Sequence, residues 1–205
     1  MIRILCADIS GLEAEAYEKL YNQATRERQA RADRYRRRED ALRCVTADAL
    51  LRFVLGGGVY TVEKTPEGKP RISGKPDFHF NLSHSGRWVV IAWGDSPVGV
   101  DVEKIREDTD IGMIASRFFT PEEQQYLRQT PEESRRRFFE IWTRKESCVK
   151  YWGTGLKRAL NSFSVLQPEK ELRFYTETLP GGYLLSLCCK EAADPITLLD
   201  ARQLL

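Results

Sequence analysis

Gly99-Val100-Asp101-Val102-Glu103 reads as a β-strand with two unlike faces. Residues two apart in a strand project to one side, so Val100 and Val102 form an apolar back while Asp101 and Glu103 share the front. Their Cα atoms lie about 6.5 Å apart, within reach of one hard cation. Magnesium takes few protein carboxylates and completes its shell with water and phosphate oxygens, so the pair points to phosphate chemistry. An ordinary strand with a solvated acidic front also fits, and these five residues alone favour it.

Working outward, Trp142-Thr143-Arg144-Lys145-Glu146-Ser147-Cys148-Val149-Lys150 predicts a helix. Phe138, Ile141, Trp142 and Val149 recur at helical spacing, and Gly153 supplies a stop. Glu146 and Lys150, four apart, share a face at about 5–6 Å. A surface ion pair accounts for them; so does a third oxygen ligand or base beside a cation that grips phosphate. Upstream, Phe78, Phe80 and Leu82 alternate with His79, Asn81 and Ser83, a half-buried strand, and Trp88–Trp93 forms a second. The turn between them carries His84, one of two histidines in the chain. No G-x-S-x-G elbow accompanies it, so a Ser-His-Asp hydrolase is not supported.

In this order and with these separations, Phe80-Asn81-Leu82-Ser83-His84-Ser85, Gly99-Val100-Asp101-Val102-Glu103 and Trp142-x-x-Lys145-Glu146-Ser147-x-x-Lys150 resemble a 4′-phosphopantetheinyl transferase of the surfactin-synthetase-activating (Sfp) type. The resemblance extends over nearly the whole chain. It takes in Arg28 and Arg31, Glu39-Asp40-Ala41, Gly68-Lys69-Pro70, Arg117-Phe118-Phe119 with Glu123, and Asn161-Ser162-Phe163-Ser164-Val165.

The resemblance implies an α+β pseudodimer of two similar halves, 1–97 and 98–205, with the active site in the cleft between them. The first half would bind the nucleotide of coenzyme A; the second would carry the metal site and the carrier-protein dock. The implied reaction moves 4′-phosphopantetheine from coenzyme A to a serine of an apo acyl or peptidyl carrier protein and releases 3′,5′-ADP, with Mg²⁺. Matching positions make Asp101, Glu103 and Glu146 the metal ligands, with Glu146 also the base, directly or through a water. Lys150 would contact the α- or β-phosphate and His84 the diphosphate. Lys69 and Ser83 would seat the nucleotide, and Arg28 and Arg31 its 3′-phosphate, a role that suits the bidentate guanidinium. Ile111-Gly112-Met113-Ile114 and Arg117-Phe118-Phe119 are candidates for the carrier dock, although core packing accounts for the aromatics.

Composition sets limits. The chain has 205 residues, 41% hydrophobic and 30% charged, as in a globular protein able to bury a core. No apolar run reaches a membrane span, and Asp8 interrupts any signal-peptide pattern. Five cysteines without C-x-x-C spacing suit reduced thiols in a cytoplasmic protein. The net charge of +2 is too small to imply nucleic acid, and of the aromatics among Arg26–Arg38 only Tyr35 could stack a base. A monomer is expected, without nucleic-acid or membrane partners. A coenzyme A-binding module without catalysis is the alternative, and the intact Asp101, Glu103, Glu146 and Lys150 set disfavours it.

Patterning predicts a strand at Ile2–Ile9 and a long helix from about Arg31 to Val54, stopped by Gly56-Gly57-Gly58. Short strands follow near Thr61–Lys64, Phe78–Leu82 and Val89–Trp93. In the second half, strand Val98–Glu103 leads to helices at Ile111–Phe118, Pro121–Gln129 and Pro131–Tyr151. Strands at Phe163–Leu166, Leu172–Thr178, Tyr183–Cys189 and Ile196–Asp200 complete it.

Overall fold

A computed structural model describes residues 1–169 and 171–205. The chain is a mixed α+β protein whose strands form two larger sheets and one small hairpin. The first sheet has the order β4-β5-β1-β9, built from β1 (Arg3–Asp8), β4 (His79–Ser85), β5 (Trp88–Gly94) and β9 (Thr197–Asp200). Here β9 lies parallel to β1, while the other pairings are antiparallel. A strand from the C-terminal end therefore completes the sheet of the N-terminal half. The second sheet is antiparallel, in the order β6-β8-β7, from β6 (Val98–Lys104), β7 (Arg173–Leu179) and β8 (Tyr183–Cys189). β2 (Val62–Lys64) and β3 (Pro70–Ile72) pair as a hairpin.

The helices are α1 (Ala14–Gln23), α2 (Arg26–Ala32), α3 (Arg38–Val54), α4 (Ile111–Phe118), α5 (Pro121–Arg128) and α6 (Ser134–Trp152). Four layers result. Leu5, Ala7, Val89 and Ile91 of the first sheet pack on Val45, Ala49 and Leu50 of α3. On the sheet's other side Ile4, Cys6, Val90 and Ala92 meet Val98, Val100, Val102, Leu185 and Leu187 of the second sheet. The outer face of that second sheet presents Leu184 and Cys188 to Phe138, Ile141 and Cys148 of α6.

This layering fixes the register of β6. Val98, Val100 and Val102 are fully buried between the sheets, each contributing about 1.5–3 kcal/mol. A slip of one residue would drive Asp101 into that dry layer and expel the valines. Gly99, Asp101 and Glu103 consequently face α6. At Gly99 the approach of that helix is so close that a Cβ would lie 1.9 Å from the Ser147 carbonyl oxygen and 2.4 Å from the Tyr151 nitrogen. Only glycine admits this contact. Helix α6 ends where expected, with Gly153 left-handed at φ 73° and its N–H donating to the Val149 carbonyl.

Three expectations are corrected. The single helix from Arg31 to Val54 is two, because α2 turns back onto α3 and places Ala32 in the same core as Ala41. Helix α1 was not anticipated, although Ala16 and Leu20, four apart, are its buried pair. Phe163–Leu166 is not a strand: its backbone is taken by a buried ion pair. The Lys145 ammonium donates to the Leu160 and Phe163 carbonyls, while Glu123 accepts from the Val165 N–H.

Candidate active site

Strand β4 organises the site because its two faces look in opposite directions. Asn81, Ser83 and Ser85 face β6 and stand in for a missing neighbouring strand. The Val100 N–H donates to Asn81 Oδ1 at 2.9 Å, Val102 N–H to Ser83 Oγ at 3.3 Å, and Lys104 N–H to Ser85 Oγ at 3.2 Å. Each alternate amide on the free edge of β6 thus meets a side chain, which satisfies groups that are costly to bury unpaired. The two hydroxyls have a second task. Ser83 Oγ donates to Asp101 Oδ1 at 2.9 Å, and Ser85 Oγ to Glu103 Oε2 at 2.9 Å.

Helix α6 brings the opposing charges. Lys150 Nζ lies 2.6 Å from Asp101 Oδ1 and also donates to Ser83 Oγ and the Val100 carbonyl, both at 3.1 Å. Glu146, one turn earlier, is close enough that the Asp101 charge raises its carboxyl pKa, after the larger effect of burial. Glu103 is raised by the same two causes in the same order. Three carboxylates from two stretches are therefore electrostatically coupled through Asp101. Among the described residues, no three His, Cys, Asp or Glu side chains lie together as a group that could hold a metal ion; the Lys150 ammonium is what faces Asp101 Oδ1. The set still fits a divalent cation. Asp101 is 5% exposed, and its Oδ2 is buried without a hydrogen-bond partner, an arrangement that costs free energy unless a cation or donor is supplied.

On its other face β4 contributes Phe80, Leu82 and His84 to a cavity of 380 Å³. Glu27, Arg28 and Arg31 of α2, Asp48 of α3, and Lys64 and Pro70 of the hairpin also line it. His84 is open to this space. Its pKa is lowered first by partial burial, then by the charges of Arg43, Lys150 and Arg31. His84 therefore links the arginines at one end of the site to Lys150 at the other, and a polyanion laid along that line would meet these four side chains as donors.

Two residues expected at the nucleotide, Lys69 and Ser83, make contacts within the fold. Lys69 is not on the cavity wall. Its ammonium donates to the Val98 and Tyr151 carbonyls at 2.9 and 2.8 Å, tying the start of β6 to the end of α6. Ser83 has no free capacity, since one donor and two acceptor positions are used by Asp101, Val102 and Lys150. Both residues help hold the acidic strand and α6 together.

Other motif positions are structural. Lys145 and Glu123 are both 0% exposed and pair at 2.8 Å. Phe119 is buried and stacks on Phe138, whereas Met113 on α4 is 65% exposed. Sequence reading gave no role to Asn81 and Ser85, which it quoted within a motif, and passed over Asp48. The alternation placed Asn81 on one face of its strand, but Ser83, His84 and Ser85, expected in the turn, lie within β4, and nothing local says what either face meets. All five cysteines are buried. Among the described residues no helix is long and apolar enough to cross a membrane.

The chain is similar to known proteins of one family. Residues 97–192 match the family described as the 4′-phosphopantetheinyl transferase superfamily. The chain is 34% identical to 4′-phosphopantetheinyl transferase Sfp of Bacillus subtilis over 217 residues, covering 95% of each chain. It is 33% identical to 4′-phosphopantetheinyl transferase gsp of Aneurinibacillus migulanus over 92% of this chain and 86% of that one. With 4′-phosphopantetheinyl transferase HetI of Nostoc sp. it shares 31% identity over 77% of this chain and 70% of the relative.

Proposed function

The chain belongs to the 4′-phosphopantetheinyl transferases of the Sfp type, and on that premise we propose that it moves 4′-phosphopantetheine from coenzyme A onto a serine of an apo acyl or peptidyl carrier protein, releasing 3′,5′-ADP. One observation carries the reading: β4 presents His84 and a cation-lined cavity on one face, and on the other clamps the Asp101–Lys150 pair. A donor nucleotide and its diphosphate need those two environments side by side.

In this reading Arg28 and Arg31 hold the 3′-phosphate, and His84 donates to the diphosphate. Asp101, Glu103 and Glu146 would hold Mg²⁺, which supplies positive charge to offset the diphosphate when bound. Lys150 sits where its ammonium can turn from Asp101 to a phosphate oxygen as charge builds on the leaving group. Glu146, its pKa raised, is suited to take the proton of the incoming serine hydroxyl, directly or through a water. Lys69 and Ser83 act at one remove, by positioning β6 and α6.

The order strand, helices, strands occurs in both halves, 1–97 and 98–205, and supports a pseudodimer with the site in the cleft between β4 and α6. A chain that builds both walls by itself is complete as a monomer. No membrane or nucleic-acid partner enters this reading, and the reaction suits the cytoplasm. The exposed Met113 face of α4 is the proposed carrier dock.

Incubation with coenzyme A, Mg²⁺ and a panel of apo carrier domains, followed by intact-mass measurement, tests the proposal. Addition of one phosphopantetheine to any carrier is the expected result. Tight coenzyme A binding with no transfer to any carrier would instead establish a binding module.

A further inference from the structure

A buried carboxylate stands in the wall of the cation-lined cavity, where repulsion would oppose an anionic nucleotide. Asp48 of α3 is 2% exposed and fully engaged. Its Oδ1 accepts from Tyr60 Oη at 2.8 Å and from Thr25 Oγ1 at 3.2 Å; its Oδ2 accepts from the Thr25 N–H at 3.3 Å. Arg28 Nε lies 3.6 Å from Oδ1. Thr25 in turn caps α2, its hydroxyl oxygen accepting the Arg28 N–H at 3.4 Å.

We propose that Asp48 is a positioning residue of the donor cavity, anchoring Thr25, Tyr60 and Arg28 so that a phosphate-bearing nucleotide meets an Arg28 already fixed in place. The inference rests on the donor reading above. Three residues converge on this one carboxylate of α3 from two elements: Thr25 and Arg28 at the start of α2, and Tyr60 in the segment before β2. Drawn to Asp48 by charge at 3.6 Å through Nε, Arg28 keeps its two terminal nitrogens as donors for phosphate. Fixing a long side chain before the ligand arrives lowers the ordering cost of binding. The Tyr60 phenol is pushed up by burial and by the Asp48 charge, so it remains a donor across the accessible pH range. A purely structural staple between α2 and α3 would require only acceptors; the negative charge is what Arg28 reads.

Titrating 3′,5′-ADP into the full chain measures the cavity without turnover. Wild type should bind it, and Asp48→Asn should bind about tenfold more weakly. In the transfer assay the loss should fall on KM for coenzyme A more than on kcat. In an Arg28→Ala background the same Asp48→Asn change should cost less than about twofold, because the residue through which it acts is gone. An undiminished loss in that background would make Asp48 a structural staple and overturn the proposal. Equal binding by wild type and Asp48→Asn would overturn it while leaving the donor reading intact; no binding by wild type would overturn both. Should Asp48→Asn fail to fold by circular dichroism, Tyr60→Phe carries the test. It is expected to bind about threefold more weakly, and unchanged affinity would count against the proposal.

Discussion

The ammonium of Lys150 and the carboxylate of Asp101, 49 residues apart in the chain, meet at 2.6 Å. Ser83 bridges them, donating to the carboxylate and accepting from the ammonium. In the proposed reaction the cation would shift to phosphate, and the carboxylate has one oxygen, Oδ2, with no partner.

Asp101→Asn should therefore separate activity from stability. It removes the charge that raises Glu103 and Glu146 while keeping the side-chain volume. The melting temperature is expected to hold or rise, and transfer to fall about 100-fold. Lys150→Gln should lose a comparable factor. Normal turnover by Asp101→Asn at saturating Mg²⁺ would refute the metal assignment.

Gly99→Ala should disturb both properties. The new methyl would meet the Ser147 carbonyl at 1.9 Å, and backbone must move to admit it. A loss of about 2–3 kcal/mol is expected in urea unfolding. Transfer should fall about tenfold or more as Glu146 and Lys150 move with α6. A variant near wild type in both measurements would contradict the close helix–strand approach.

Lys145→Met leaves Glu123 charged and unpaired in a dry site. Breaking such a pair costs about 3–5 kcal/mol, and adding Glu123→Gln should restore part of it, because the amide oxygen can still accept from Val165. Urea midpoints for the three proteins check this. A double variant no more stable than Lys145→Met would show that the buried charge is not what the single change exposes.

Burial lowers the Lys69 ammonium to about 8. Below that pH the folded and unfolded chains both carry the proton, and the group adds no pH dependence. Between about 8 and the unfolded value of about 10.4, the unfolded chain binds more protons, so stability rises with pH. The neutral amine keeps two N–H donors for the Val98 and Tyr151 carbonyls. Between about pH 7.5 and 9.5, wild type should gain roughly 1–2 kcal/mol relative to Lys69→Met in chemical unfolding. A pH-independent difference would mean that Lys69 is not desolvated.

The sequence by itself determined the local elements and the order of the motifs. Alternation in Val98–Glu103 sent the valines one way and the carboxylates the other, and β8 was read with its observed bounds, Tyr183–Cys189. Helix α6 and its glycine stop were legible because helical periodicity is a property of near neighbours. Only the tertiary structure decided what those faces touch. The ladder from β4 to β6 joins residues 19 apart, as at Asn81 and Val100. Lys69 reaches Tyr151 across 82 residues, and Lys145 turns inward to Glu123. A side chain's spacing fixes its direction relative to its own backbone, but the partner waiting there is set by how distant layers pack. For that reason the acids could be found in the chain, while the residues that hold them in place could not.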